Sequence, residues 1–207
     1  MIEQGTLEWH QQRLGKATAS RIAEIIAKTK TGYSTSRANY AAQLIAERLT
    51  SVPSEGFSSA AMQWGTETEP EARSAYSFYS GHDVDQIGFI DHPTITMSGA
   101  SPDGLISDAG LVEIKCPITA THIDTLRTGR VPGKYITQIM WQLACTGRQW
   151  CDFVSYDPRM PEHMRLFVKR VARMDDDIKV LESEVLSFLA EIEATIADLK
   201  AKYPEAS

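Results

Sequence analysis

The sequence predicts an α/β protein with helical additions at both ends of a core that contains strands. Two observations predict this class. Five short segments rich in β-branched and aromatic residues are typical of strands, and helical patterns lie before, between and after them. The chain has 207 residues, which is about the size of one domain with extensions.

Capping residues and apolar spacing predict the helices. Thr18-Ala19-Ser20 can cap a short first helix, and Leu44, Ile45 and Leu49 recur at helical spacing in a second one. We predict helices at about 21–28, 36–49, 58–79, 132–145 and 175–202, with a kink or a new helical start at Pro70. We predict strands at 85–90, 94–99, 111–116, 150–156 and 165–171.

The last predicted helix is long and amphipathic. Three aspartates at 175–177 suit its positive N-terminal end, and Lys200 and Lys202 suit its negative C-terminal end. Its apolar face either packs on its own domain or contacts another subunit, since two or three heptads are few for a coiled coil.

The formal net charge of -6 is arranged in blocks. Residues 1–50 and 119–174 are net basic, by +3 and +5, whereas residues 51–118 and 175–207 are net acidic, by -8 and -6. Basic segments can hold a polyanion while an acidic one gathers carboxylates for a divalent cation, although short-range fluctuation also produces such blocks.

The sequence also predicts the cellular compartment of the protein and the redox state of its cysteines. It contains neither an apolar run of about 18 residues nor the apolar region of a secretory signal, so we expect a cytoplasmic protein without a membrane partner. Three cysteines without a C-x-x-C motif predict packed, reduced thiols.

The segment from 101 to 115 carries the most informative polar residues. Asp103 precedes a glycine, and Glu113-Ile114-Lys115 follows ten residues later. Side chains alternate along a strand, so Glu113 and Lys115 share one face while Ile114 points into the core. An aspartate at a neighbouring strand end can meet Glu113 and share a divalent ion. Metal-assisted phosphodiester hydrolysis requires this arrangement: the cation activates water, and the ammonium orients the water or the scissile phosphate.

The acidic-x-Lys triplet is informative only in this context. Three such triplets occur, and about one is expected by chance. Asp177/Lys179 and Asp198/Lys200 belong to the predicted C-terminal helix, where residues two apart point in different directions. The alternative for Asp103 is a simple reverse turn, the commonest use of Asp-Gly. Spacing and strand context together favour a metal-dependent nuclease.

Two further side chains can reach the same cleft. Glu69 stands immediately before Pro70, which can turn its carboxylate toward the sheet, although surface helices contain many solvated glutamates. Gln138 lies on the predicted helix after the Lys115 strand, where a solvated glutamine is the alternative. The five histidines show no metal-ligand spacing and are interpreted as structural or surface residues, with His122 the least clear.

Five separated motifs resemble the PD-(D/E)xK nuclease superfamily and, within it, the phage lambda exonuclease (YqaJ-type) family. They are WGTETEPEAR at 64–73, SPDG at 101–104, EIKCP at 113–117, YITQ at 135–138 and YDPRM at 156–160. The opening WHQQRLGKATAS at 9–20 is also similar, and the resemblance covers about residues 4–170 in order.

The resemblance implies a restriction-endonuclease-like core, in which helices flank a central mixed sheet, with a long C-terminal helix. It implies a single nuclease domain over 1–207: a helical DNA-end-binding part at 1–57, a catalytic core at 58–172 and the C-terminal helix at 173–207. The implied activity is that of a 5′-to-3′ exonuclease that degrades one strand of duplex DNA, releases 5′-mononucleotides and leaves 3′ single-stranded tails for phage-type recombination.

The family also implies cofactors and partners. These are Mg²⁺, with Mn²⁺ as a substitute and two ions in the site, a homotrimeric ring around the ends of double-stranded DNA, and a single-strand annealing protein. The implied source is a phage or prophage gene expressed in a bacterial host.

The resemblance assigns roles residue by residue. The metal ligands are Asp103, Glu113 and the main-chain carbonyl of Ile114, and Glu69 helps to hold a metal and water. The catalytic lysine is Lys115, and the glutamine of the active-site helix is Gln138. The DNA-binding positions are Arg13, Ser20 and Ser101 for the 5′-phosphate, Lys30 near the DNA end, Met62 as an apolar wedge in the terminal base pair, and Arg127, Arg130 and Lys134 along a ring channel.

The chain departs from the lambda protein in three ways: a shorter N-terminus, Thr68 in place of an aromatic residue, and Lys30 in place of an arginine. Lysine cannot form a bidentate fork with phosphate, so the strength of end binding is in question. Two other functions stay open: an endonuclease or helicase-associated nuclease of the same superfamily, and a catalytically inactive DNA-end binding protein. Three scattered cysteines argue against the iron–sulfur nucleases, which need four.

Overall fold

A computed structural model describes residues 2–54 and 60–204, except the side chain of Met62. The helices in this part are α1 (Leu7–Arg13), α2 (Ile22–Ile25), α3 (Thr35–Thr50), α4 (Ala60–Ser80), α5 (Thr119–Thr128), α6 (Gly133–Thr146) and α7 (Asp175–Lys202). The strands are β1 (Ala17–Thr18), β2 (Lys28–Thr29), β3 (Gly32–Tyr33), β4 (Ile90–Asp91), β5 (Ser98–Ala100), β6 (Gly104–Ile106), β7 (Gly110–Lys115), β8 (Trp150–Tyr156) and β9 (Leu166–Ala172).

The largest sheet has the strand order β6-β7-β8-β9 and is mixed. Strands β7 and β8 are parallel, and β6 and β9 pair antiparallel on either side of them. Parallel neighbours need a long crossover, which α5 and α6 supply. A smaller sheet has the order β1-β5-β4, and β2 and β3 form a hairpin. A mixed sheet flanked by helices, followed by a long C-terminal helix, confirms the predicted α/β class.

Strand β7 is buried on both faces, and its alternation decides which residues face the functional cleft. Val112 and Ile114 join a core cluster with Ala72 and Tyr76 of α4, whereas Leu111 joins the cluster that contains α6. Glu113 and Lys115 follow Leu111 at intervals of two and therefore lie on its face of the sheet. The predicted separation of Glu113 and Lys115 from Ile114 is confirmed.

The long helix α7 packs on its own chain. Its apolar face belongs to the main core cluster and contacts α2, α3 and α6. Ion pairs also tie it to α3: Glu191 accepts from Arg37 at 2.6 Å, and Glu193 accepts from Arg48 at 2.6 Å. Of the two alternatives for this helix, the structure shows packing within the chain.

Several local expectations were wrong. The first predicted helix ends at Ile25 because Lys28 and Thr29 pair with Gly32–Tyr33 in the hairpin. The two strands predicted at 85–90 and 94–99 shrink to β4 and β5, with a single bridge between Asp85 and Leu105.

The intervening segment is a turn, because Nδ1 of His92 accepts from the main-chain N–H groups of Thr94 and Ile95. Helix α4 continues through Pro70 without a new start, and Trp64 before the proline and Ala72 and Tyr76 after it pack in the same core cluster. Helices α1 and α5 and strand β6 were not predicted.

The three cysteines are buried and unpaired, as predicted. Across residues 2–54 and 60–204, no helix combines the length and apolar character needed to cross a membrane.

Candidate active site

Strand register brings the two principal carboxylates together. In the β6–β7 pair, Gly104 lies opposite Val112 and Leu105 opposite Leu111. The same antiparallel register, continued by one residue, places Asp103 opposite Glu113, where side chains are close neighbours on one face. Gly104 is required here, since a Cβ at this position would lie 2.1 Å from Cγ1 of Val84.

Asp103 and Lys115 complete a polar cluster around Glu113. Oδ2 of Asp103 accepts the main-chain N–H of Ile114 at 2.6 Å, and Nζ of Lys115 forms an ion pair with Oε1 of Glu113. Asp103, Lys115, Ile114 and Glu69 of α4 all line one cleft of about 650 Å³. The structure thus brings four of the predicted catalytic and metal-binding positions to one place.

Glu113 is 0% exposed and is held from α6. Its Oε1 accepts from Nε2 of Gln138 at 2.6 Å, and its Oε2 accepts from Nε2 of Gln142 at 2.5 Å. A buried carboxylate is costly unless hydrogen-bonded, and these amides together with Lys115 supply the donors. Gln138 thus reaches the Glu113 carboxylate, but it is not among the described residues that line the cleft.

The cluster has more acidic groups than basic ones. Burial raises the pKa of Asp103 well above its usual value, and the nearby Glu113 raises it further. Burial also raises the pKa of Glu69, with Arg73 and Lys115 acting in the opposite direction. Burial would lower the pKa of Lys115, but the charges of Glu113 and Asp103 outweigh it and raise that pKa. Three carboxyl groups therefore share one close ammonium.

This donor set fits a hard divalent cation. Within residues 2–54 and 60–204, no three His, Cys, Asp or Glu side chains are grouped so that they could hold a metal alone. Mg²⁺ needs no such group, because it is usually held by one or two carboxylates while water and substrate phosphates fill the remaining positions. Asp103 and Glu113, beside the backbone at Ile114, provide oxygen ligands of that kind.

A second cleft, of about 590 Å³, adjoins the first. Both are lined by Glu69 and Asp103, and the second also contains Trp9, Arg13 and Arg73. Arg73 forms an ion pair with Glu69 one turn earlier on α4. Glu69 therefore lies at the boundary between the two clefts.

Of the residues predicted to bind the 5′-phosphate, Arg13 lines the second cleft, and Ser20 and Ser101 lie near it. The guanidinium of Arg13 lies over the Trp9 ring, 3.9 Å from its centroid, and Nε1 of Trp9 donates to Oγ of Ser101 at 2.9 Å. Arg13 also borders a third cleft, of about 320 Å³, which contains Ser20 and Arg21. Arg13 is thus shared by the second cleft, which Asp103 and Glu69 also line, and the third cleft, which contains Ser20.

The loop after Arg13 is fixed by α3. Oε2 of Glu47 accepts the N–H of Gly15 at 2.8 Å, and Nε of Arg48 donates to the Gly15 carbonyl at 2.8 Å. Gly15 has a φ of +67°, and a Cβ there would lie 2.7 Å from Cγ of Arg48. A larger residue at this position would disturb the loop that carries Arg13.

The structure does not bring every predicted residue to the site. Lys134 is exposed at the rim of the first cleft, beside the Tyr135 ring. Arg127 and Arg130 are exposed near the end of α5, outside the three clefts described above.

Lys30 lies exposed in the turn of the β2–β3 hairpin, which is tied to α7 by an ion pair between Lys28 and Glu184. The side chain of Met62, the predicted wedge, lies outside the described part of the chain.

Sequence reasoning missed Trp9 and Arg73, which line the second cleft, and Gln142, which is buried beside Glu113. For Gln142 the available signal was its spacing of four from Gln138, which places both on one helix face. His122 is structural, because Nδ1 lies 2.8 Å from Oγ of Ser155 and Nε2 lies 2.8 Å from the carbonyl of Met164.

Comparison with known proteins supports the motif analysis. Residues 8–149 match the family model described as the YqaJ-like viral recombinase domain. A crystal structure of the alkaline exonuclease LHK-Exo from Laribacter hongkongensis is 53% identical, with a TM-score of 0.89, over 95% of this chain and 97% of that one. A structure of LHK-Exo in complex with dAMP is 54% identical, with a TM-score of 0.90 and the same coverage.

A more distant neighbour shares the fold. A phage-related exonuclease from Haemophilus somnus 129PT is 13% identical, with a TM-score of 0.70 over 89% of this chain and 96% of that one. No curated protein matches the chain. The matches confirm the resemblance and the PD-(D/E)xK-type fold predicted from the motifs. Since the family model spans more than half of the sequence, the chain belongs to the family of YqaJ-like viral recombinase domains.

Proposed function

We propose that this protein is a Mg²⁺-dependent exonuclease that degrades one strand of double-stranded DNA from its 5′ end. It releases 5′-mononucleotides and leaves a 3′ single-stranded tail for recombination. The observation that carries the proposal is the convergence of Asp103, Glu113 and Lys115 in one polar cluster beside the first cleft, which Asp103 and Lys115 line. The exonuclease named LHK-Exo, at 53% identity over nearly the whole chain, supports the same reaction class.

The chain's own groups have distinct parts in this reaction. A Mg²⁺ ion held by Asp103, Glu113 and the Ile114 carbonyl would supply Lewis acidity at the phosphoryl oxygen, with Mn²⁺ as a substitute and a second ion near Glu69. Lys115 stays protonated beside Glu113 and presents N–H donors to the scissile phosphate or the attacking water. Glu69 accepts a hydrogen bond from that water, and Gln138 fixes Oε1 of Glu113.

The adjoining clefts support the proposed polarity of degradation. Arg13, with Ser20 on one side and Ser101 reached through Trp9 on the other, can hold a terminal 5′-phosphate. This position is separated from the carboxylates only by the width of the second cleft, since Asp103 lines it too. A strand anchored by its 5′-phosphate would therefore present the adjacent phosphodiester bond to Lys115.

Assembly and partners complete the proposal. A homotrimeric ring around DNA would place Lys134, Arg127 and Arg130 near the phosphate backbone, with Lys30 near the duplex end and Met62 as the wedge. A single-strand annealing protein would receive the 3′ tail. We place this activity in the cytoplasm of a bacterial host, as part of a phage or prophage system.

End-labelled linear duplex, incubated with and without Mg²⁺, tests the proposal. We expect a 5′ label to be released as mononucleotide at once, and a 3′ label to stay on a shortening strand. Chelation of the metal should stop both changes. Immediate release of the 3′ label instead would reverse the polarity.

Two controls separate the alternatives. Cleavage of covalently closed circular duplex would indicate an endonuclease. Retention of linear duplex, without nucleotide release in Mg²⁺ or Mn²⁺, would indicate an inactive end-binding protein.

A further inference from the structure

We propose that Gln142 is a positioning residue that fixes the carboxylate of Glu113 for metal binding, an inference that rests on the proposed function. Gln142 lies one turn after Gln138 on α6 and is 0% exposed. Its Nε2 donates to Oε2 of Glu113 at 2.5 Å. A fully buried side chain cannot contact DNA, so its effect on the reaction passes through Glu113.

The two glutamines divide the carboxylate between them. Gln138 donates to Oε1 and Gln142 donates to Oε2, so each oxygen of Glu113 has its own amide. The terminal torsion of a glutamate is broad and has no strongly preferred angle. Two donors from a single rigid helix remove that freedom, because rotation of the carboxylate would break both hydrogen bonds.

The donors leave capacity for a cation. An ionised carboxylate has about four lone-pair sites. Gln138, Gln142 and Lys115 occupy three of them in the structure. Gln142 approaches from the buried side, whereas Lys115 lines the cleft. Because Gln138 and Lys115 both bind Oε1, the remaining site is on Oε2, and a cation would bind there or would displace Lys115 from Oε1.

The amide of Gln142 is oriented for its donor and not for its acceptor. Oε1 of Gln142 is buried and has no hydrogen-bond partner among the described residues. A buried acceptor without a partner costs free energy, and a methionine of similar length would avoid that cost. Turning the amide over would not help, since Oε1 would then face Oε2 of Glu113. The side chain thus serves Glu113 while its own acceptor stays without a partner among the described residues.

Binding of Mn²⁺ to the full-length protein without DNA tests the inference. We expect Gln142→Met to weaken Mn²⁺ binding about 10- to 100-fold, the range for loss of a group that orients a metal ligand. Titration calorimetry measures the affinity, and thermal unfolding verifies the fold. Met140→Leu is the matched control, because Met140 is buried on the same helix and is not a donor to Glu113. It should bind Mn²⁺ as the wild type does.

The outcomes separate this inference from the proposed function. If Gln142→Met folds and binds Mn²⁺ with wild-type affinity, the positioning role is overturned while the nuclease assignment stands. If Gln142→Met does not fold, Gln142→Asn decides, because it keeps the amide but withdraws it by one methylene. Wild-type affinity in Gln142→Asn would overturn the role, and weakened affinity would support it. A wild-type protein that binds no Mn²⁺ would overturn both the metal site and this inference.

Discussion

Replacing Lys115 with alanine separates catalysis from folding. The Lys115 side chain is 26% exposed, whereas its ion-pair partner Glu113 is 0% exposed. Because Glu113 keeps its two amide donors, we expect a loss of about 1–3 kcal/mol in the free energy of unfolding, the cost of removing one partner from a buried hydrogen bond. For a chain of this length, that loss lowers the unfolding midpoint by about 2–12 °C.

The effect on the reaction should be much larger. Loss of a positioned donor or proton-transfer group typically slows an enzyme by about 10²- to 10⁴-fold. The assay is release of acid-soluble nucleotides from linear duplex at saturating Mg²⁺, alongside thermal unfolding of the same preparation.

A matched control comes from the same sequence pattern in a different setting. Lys179 follows Asp177 in an acidic-x-Lys triplet, but it is exposed on α7 and hydrogen-bonds Asp176 at 3.2 Å. Lys179→Ala should keep the wild-type rate. A folded Lys115→Ala protein with the wild-type rate would refute the assignment of this lysine.

Three other predictions concern Arg13 in the second cleft, the stability of the fold in acid, and the assembly of the chain. Arg13→Ala should reduce the preference for 5′-phosphorylated over 5′-hydroxyl duplex by about 10-fold or more, since it removes a charge-assisted hydrogen bond; an unchanged ratio of the two rates would contradict this role. Burial would raise the pKa of Asp157, but hydrogen bonds from Arg159 and Thr119 lower it below its usual value. A lowered pKa stabilises the folded state above the unfolded value of about 3.9, and this contribution is lost as the pH falls through the folded value. Urea unfolding of Asp157→Asn should therefore show a weaker dependence on pH below about 4 than the wild type, and equal slopes would count against it. Light scattering should give the mass of three 23.0 kDa chains, whereas the mass of one chain would exclude the trimer.

The chemistry of β7 could be predicted because it depends on local geometry. Alternation along a strand places Glu113 and Lys115 together whatever the sheet is packed against. Strand β8 and helices α3, α6 and α7 were also close to expectation, since each has a long periodic pattern and clear ends. The position of Asp103 followed once its strand paired antiparallel with β7.

The other elements and site residues depend on tertiary contacts, which the sequence alone does not reveal. Strands β4 and β5 have two and three residues, and the turn held by His92 between them resembles a strand in composition. Gln142 has the same spacing whether it is solvated or buried, so only the packing of α6 on β7 reveals its contact with Glu113. Lys30 lies in a hairpin that contacts α7 through an ion pair between residues 156 positions apart.

Helix α6 supplies both the middle of the hydrophobic core and the two amides that hold Glu113. Selection for folding alone therefore does not protect activity along this helix. A mutant library over 133–146 sorted for expression would tolerate apolar replacements of Gln142, and would accumulate well-behaved but inactive proteins. Laboratory evolution of this nuclease should accordingly leave α6 untouched, and should seek new substrate preferences in the N-terminal segment around Trp9 and Arg13.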